Sequence, residues 1–142
     1  MKIALGSDER GELPAAVERV LIEAGHEVVL FGALAAGDDD AWPAVGRAVG
    51  EAVARGTCAT GIVCCWTGTG VSIAANKVAG VRAALCGDAQ TAQGARTWND
   101  ANVLALSMRA TTAAVGAEIV RAWLSSSPTT DARYRAMIER IE

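Results

Sequence analysis

The run Cys64-Cys65-Trp66-Thr67-Gly68-Thr69-Gly70-Val71-Ser72 sets two thiols at the end of an apolar stretch, followed by a turn rich in glycine and hydroxyl groups. Where such a turn opens a helix, its free backbone N–H groups and the positive end of the helix dipole form an anion hole. A thiol at the edge of that hole gives up its proton more readily, because the same donors stabilise the thiolate, and a thiolate can act as a base. The competing reading is a buried cysteine before a tight turn; glycines at this spacing say only that an anion fits.

Two further motifs carry polar groups of the right kind. Gly6-Ser7-Asp8-Glu9-Arg10-Gly11 ends the first apolar run, and Asp8 there either caps the following helix or accepts hydrogen bonds from substrate hydroxyls. In Arg96-Thr97-Trp98-Asn99-Asp100-Ala101-Asn102, Trp98 can stack on a ligand or fill a subunit interface, while Asn99 and Asp100 can cap and turn the chain. Arg109 and Arg133 are possible phosphate ligands, because a guanidinium fork matches phosphate geometry, although isolated arginines are more often surface groups. The lone His26 reads as structural. The acidic triplet Asp38-Asp39-Asp40 reads as a solvated loop or helix start rather than a metal site, since no histidine or second carboxylate cluster is near it in sequence.

These motifs need a frame. Apolar runs at 2–7, 26–31, 61–65, 82–86 and 102–106 read as strands, and the segments 12–24, 42–54, 71–78, 89–98 and 111–124 have helical spacing or alanine-rich composition. Nearly all-apolar strands separated by crossover-length helices imply a parallel sheet covered on both faces. The expected fold is therefore a Rossmann-like, doubly wound α/β sandwich with five strands. In such a sheet ligands bind beyond the carboxyl ends of the strands, and all three motifs are expected at such ends. Adjacent Cys64 and Cys65 should point to opposite faces, one into the core and one accessible. After a break at 125–128, Tyr134, Met137 and Ile141 form one stripe of a tail helix, a pattern suited to packing on a neighbouring subunit. With no repeat or linker, residues 1–142 are expected to form one domain.

Composition narrows the function classes. The 142 residues are 51% hydrophobic and 20% charged, enough for an ordinary core, and the scattered net charge of −3 provides no positive surface for nucleic acid. No apolar run reaches membrane-spanning length and none resembles a signal peptide, so a cytoplasmic protein with no membrane partner is expected. Four cysteines in that setting are read as reduced thiols.

The segment from Ser72-Ile73-Ala74-Ala75-Asn76-Lys77 to Cys86, followed by Asn99-Asp100-Ala101-Asn102-Val103-Leu104, closely resembles the family of ribose-5-phosphate isomerase B and the galactose-6-phosphate isomerase subunits. Ser7-Asp8, Cys65 before Thr67-Gly68, and Arg133 agree with it in order, and the match runs over nearly the whole chain. The resemblance implies an aldose–ketose isomerase working through an enediolate. It casts Cys65 as the base, residues 67–70 as the anion hole that includes Gly68 and Gly70, and Thr67 as an aid to ring opening. Asp8 and Asn99 would bind sugar oxygens, and Arg109 and Arg133 would hold phosphate. It also implies a sugar-phosphate substrate, no metal or organic cofactor, and a homodimer or homotetramer whose active site is shared across an interface.

The chain departs from the family pattern around that pocket. Glu9 stands where the family has histidine, as does Trp98; Asp-Tyr-Pro becomes Ala41-Trp42-Pro43; the glycine after the cysteine is Trp66; the second tail arginine is Met137. These changes imply altered substrate recognition, with Glu9, Trp66 and Trp98 as added substrate contacts, and Glu9 in the histidine position as a possible proton shuttle. A noncatalytic sugar-phosphate binder, or a subunit that needs a paralogue, is the alternative. A dinucleotide site is disfavoured because strand one ends in Ser7-Asp8 without G-x-G-x-x-G.

Overall fold

The computed structural model describes residues 1–142. Five strands, β1 (Lys2–Ser7), β2 (Glu27–Gly32), β3 (Thr60–Cys65), β4 (Ala83–Leu85) and β5 (Val103–Ser107), alternate with α1 (Glu12–Glu23), α2 (Trp42–Ala54), α3 (Thr69–Asn76), α4 (Ala89–Asn99) and α5 (Ala113–Ser125), and α6 (Ala132–Glu139) closes the chain. All pairings are parallel, in the order β2-β1-β3-β5-β4. The expected doubly wound sandwich is the observed one. Strand bounds shift by a residue or two, and β4 is shorter than its apolar run because only its middle pairs with β5.

The strand order explains the layering. The steps β1 to β2 and β4 to β5 run one way across the sheet, while β2 to β3 and β3 to β4 run the other way. Crossovers of one hand therefore send α1 and α4 to one face and α2 and α3 to the other. Two cores result. Leu5, Ile62 and Leu104, aligned across three strands, pack with Leu13, Val17 and Ile119 on the α1/α4/α5 side. Ala4, Val63 and Ala105 pack with Val45, Val49 and Val71 on the α2/α3 side. Here α2 lies unusually close: a Cβ at Gly61 would come within 2.5 Å of Val49 Cγ1, so the valines of α2 occupy the space that side chains of β1 and β3 leave free. No helix is long and apolar enough to cross a membrane.

Cys64 and Cys65 do alternate between the two faces, but the expectation that one would be accessible is not met. Cys64 is fully buried and Cys65 is only 5% exposed, because helices cover both faces of a parallel sheet. All four cysteines are free thiols.

Candidate active site

The helices after β1 and β5 leave on one face and the helix after β3 leaves on the other, so the chain parts on both sides of β3 and opens a crevice at the carboxyl ends. Hydrogen bonds hold that end of β3 rigid. Asp8 N–H donates to the Cys64 carbonyl (3.3 Å), Met108 N–H to that of Cys65 (2.9 Å) and Arg109 N–H to that of Trp66 (2.8 Å). Ser107 Oγ also donates to the Trp66 carbonyl (3.0 Å) and accepts from Ala110 N–H (3.1 Å).

Of the two thiols, burial pushes Cys64 up to about 12, and it stays protonated within the α1/α4/α5 core. Cys65 lies on the α2/α3 side as the last residue of β3, at the mouth of the turn. The turn passes through exposed Trp66 and Thr67 to Gly68, whose left-handed backbone (φ 75°) is the N-cap of α3. Any Cβ at Gly68 would lie 2.5 Å from Leu85 Cδ1 and 2.9 Å from the Leu106 carbonyl carbon, so conformation and space both require glycine. No side chain caps α3, which leaves its first N–H groups available to an anion. The Thr67 and Thr69 hydroxyls bond to each other at 2.7 Å. The indole of Trp42 lies against Gly70, where an added Cβ would be 2.9 Å from its ring carbons.

Asp8 follows the last paired residue of β1. Buried Ser7 sets its turn, with Oγ donating to the Glu9 carbonyl (2.5 Å) and accepting from Glu9 N–H (3.3 Å). Asp8 does not cap α1, whose N-cap is Gly11 with no side-chain bond. Its Oδ1 is instead the one buried side-chain oxygen or nitrogen without a hydrogen-bond partner. Desolvation raises the Asp8 carboxyl above its ordinary value, and the charges of Glu9 and then Asp40 add to the rise, against one lowering backbone hydrogen bond. In the acidic triplet, Asp38 accepts from Gly32 N–H (3.2 Å) and Asp39 from Ala41 N–H (3.0 Å), so both cap turns.

Trp66 and Arg109 line a cavity of about 410 Å³ with Glu12, Leu13 and Met108, beside this crevice. The other sequence candidates lie elsewhere. Trp98, 54% exposed and folded over Gly94, opens with Asn99 onto a separate cavity of about 450 Å³ beside β4 that includes neither Cys65 nor its turn. Asn99 ends α4, the helix that returns to the amino end of β5, and eleven residues of helix span about 16 Å. Next to it, Asp100 (φ 46°) pairs with Arg82 (3.4 Å) and Arg96 (3.6 Å) at the amino ends of β4 and β5. Thr129 N–H donates to the Thr97 carbonyl (2.8 Å), which docks the segment before α6 at the same end. Arg133 lies on α6 with its guanidinium 4.9 Å from the Tyr134 ring, and α6 has no buried residue. Asp8, Glu9, Thr67, Gly68, Gly70, Trp66 and Arg109 thus gather around Cys65 at the carboxyl edge, whereas Asn99 and Arg133 lie toward the opposite edge of the same chain and the Trp98 ring folds back along α4 beside β4.

The roles of three residues of the site escape a reading by motif. Ser7 and Ser107 hold the turns by side-chain bonds; Ser7 stands in the first motif without that role, and the signal for Ser107 is only a serine closing an apolar strand. Trp42 is signalled by the change of Asp-Tyr-Pro to Ala41-Trp42-Pro43, with nothing in the sequence to connect it to Gly70.

Comparison with known proteins agrees with this geometry. The model of the Ribose/Galactose Isomerase family matches residues 3–141. Ribose-5-phosphate isomerase B of Escherichia coli is 39% identical over 141 residues, covering 99% of this chain and 93% of that protein. D-erythrulose-4-phosphate isomerase of Pectobacterium atrosepticum is 35% identical, covering 89% and 84%. The solved structure of Clostridium thermocellum ribose-5-phosphate isomerase B superimposes with a TM-score of 0.90 at 40% identity, covering 99% of this chain and 95% of that one.

Proposed function

Because the chain belongs to the ribose/galactose isomerase family, we propose that it interconverts the aldose and ketose forms of a short sugar phosphate, with Cys65 as the base. The observation that carries this reading is the junction of Cys65 with the uncapped start of α3. The thiolate removes the proton from the carbon next to the carbonyl, and the N–H groups of residues 67–70 hold the charge that develops on oxygen. Those donors follow directly on Cys65 and Trp66, whose carbonyls accept from Met108 and Arg109 N–H, so they need little reorganisation as the charge appears. Trp42 and Trp66 wall the crevice with flat apolar surface, which suits a sugar face. Ribose 5-phosphate and erythrulose 4-phosphate, named by relatives, are the substrates to try first.

A second copy completes the site in this proposal. It brings Asn99 and Arg133 to the crevice of the first, a role their position at the far edge of their own chain leaves open to them, and Arg109 and Arg133 hold the phosphate. The noncatalytic alternative draws support from Glu9 and Trp98, which stand where an imidazole would serve ring opening or phosphate.

Cys65→Ala separates the two. Turnover is expected to fall by about a thousandfold or more with the fold unchanged by circular dichroism. Near wild-type turnover in that variant would remove Cys65 as the base, and a purified wild-type chain inert toward both sugars would favour the alternative.

A further inference from the structure

Asp8, whose Oδ1 is orphaned, follows β1 at the level of the last residue of β3. Ser7 is in register with Cys64, and the bond from Asp8 N–H to the Cys64 carbonyl carries the β1/β3 ladder one step further, so Asp8 stands opposite Cys65 on strands about 4.8 Å apart. Alternation puts both on the α2/α3 side: Leu5 and Cys64 face the other core, while Ala4 and Cys65 face this one. Asp40, which precedes α2 on that side, acts on the Asp8 carboxyl from across the crevice, as Glu9 does from the same turn. The fold thus keeps one carboxylate oxygen buried and unbonded on the residue that stands opposite Cys65, at a cost in free energy that packing alone would not retain.

Resting on the isomerase reading above, we infer that Asp8, tuned by Glu9, is the proton relay of the reaction and moves a proton between the two substrate oxygens while Cys65 moves the one on carbon. The step balances. The Cys65 thiolate takes the proton from the carbon bearing the hydroxyl, the C–H electron pair becomes the carbon–carbon double bond, and the carbonyl electrons collect on its oxygen. The Asp8 carboxylate takes the hydroxyl proton and delivers it to that oxygen. As the second carbonyl forms, the Cys65 thiol returns its proton to the former carbonyl carbon, and both groups end as they began. Burial and the neighbouring charges of Glu9 and Asp40 suit Asp8 to both halves of its task, since a carboxyl with raised proton affinity takes and releases a proton nearer neutrality. The groups around it are Glu9 on its own turn, Asp40 before α2 and Cys65 opposite it on β3, while Cys64, turned to the other core, is close enough to feel its charge.

The test compares wild type, Asp8→Asn and Glu9→Gln with ribose 5-phosphate and erythrulose 4-phosphate in heavy water, reading deuterium entry at the carbon and net isomerisation together. In Asp8→Asn, net conversion is expected to fall about a hundredfold or more while exchange into the starting sugar falls less than about tenfold. In Glu9→Gln, whose side chain is exposed, the acid limb of kcat is expected to move to lower pH. Equal losses of exchange and conversion in Asp8→Asn would reduce Asp8 to a binding group, and an unmoved acid limb would remove Glu9 from the relay. A wild type that shows neither exchange nor conversion with either sugar would defeat the isomerase reading itself, an outcome distinct from both.

Discussion

Asp8 also couples its position to the stability of the fold. An unfolded aspartate titrates near 3.8, and the folded group titrates higher because burial and the charges of Glu9 and Asp40 oppose its ionised form. Between those two values the folded chain binds more protons than the unfolded one. The contribution of Asp8 is therefore complete below pH 3.8 and is lost as pH rises through the folded value. In its charged form the carboxylate is a liability to the fold. Asp8→Asn cannot titrate, so the variant should gain stability relative to wild type as pH rises across that window, as measured by urea unfolding at a series of pH values. A difference that stays flat with pH would contradict the raised proton affinity. Cys64 makes the opposite case: equally polarisable, one residue from the proposed base, it is silenced by complete burial.

Among the elements, β4 has its free edge capped by a single side chain. It is a three-residue edge strand, and the side of Ala83 turned away from β5 would present a bare N–H and C=O. Asn76, the last residue of α3, supplies both missing partners: Oδ1 accepts from Ala83 N–H (2.8 Å) and Nδ2 donates to the Ala83 carbonyl (2.9 Å). One amide thus acts as a sixth strand and ties the end of α3 to the sheet that carries Leu85, which packs on Gly68. Asn76→Ala should cost about 1 kcal/mol in unfolding free energy and should speed hydrogen exchange in β4 ahead of the central strands. Exchange in β4 that stays as slow as in wild type would show that the edge holds without it.

At the scale of the whole molecule, the ends of one sheet are in conflict. The carboxyl edge carries the thiol, the uncapped start of α3 and Asp8, and the amino edge carries Asn99 and Arg133, with the length of α4 between them. The amino edge is firmly built: Arg82 bridges Asp100 and the terminal Glu142, and Arg96 lies 5.3 Å from the Trp123 ring, whose Nε1 donates to Thr60. If two chains complete each other's sites, Cys65→Ala and Arg133→Ala variants that are each inactive should recover about one quarter of wild-type activity when mixed after subunit exchange. Half of the assembled pairs are then mixed, and each of those regains one intact site. A site contained in one chain would show no recovery on mixing.

The sequence by itself determined the alternation of strand and helix, the parallel sheet, and the nearness of Cys65 to an anion-binding turn. These follow from short-range causes: apolar runs without alternation, glycines at a strand end, and helical spacing between them. It also carried the family pattern that places Asp8, Thr67, Gly68 and Arg133 in order. The tertiary structure alone decided which thiol faces which core, because both strand faces are covered and alternation does not say which side opens at the end. It decided that Asp8 leaves α1 uncapped, keeps a bare buried oxygen and stands opposite Cys65, since the register of β1 on β3 is a long-range pairing. It decided that Trp42 covers Gly70 and that Asn99 lies at the far edge, since chain direction through a crossover reverses what proximity in sequence suggests.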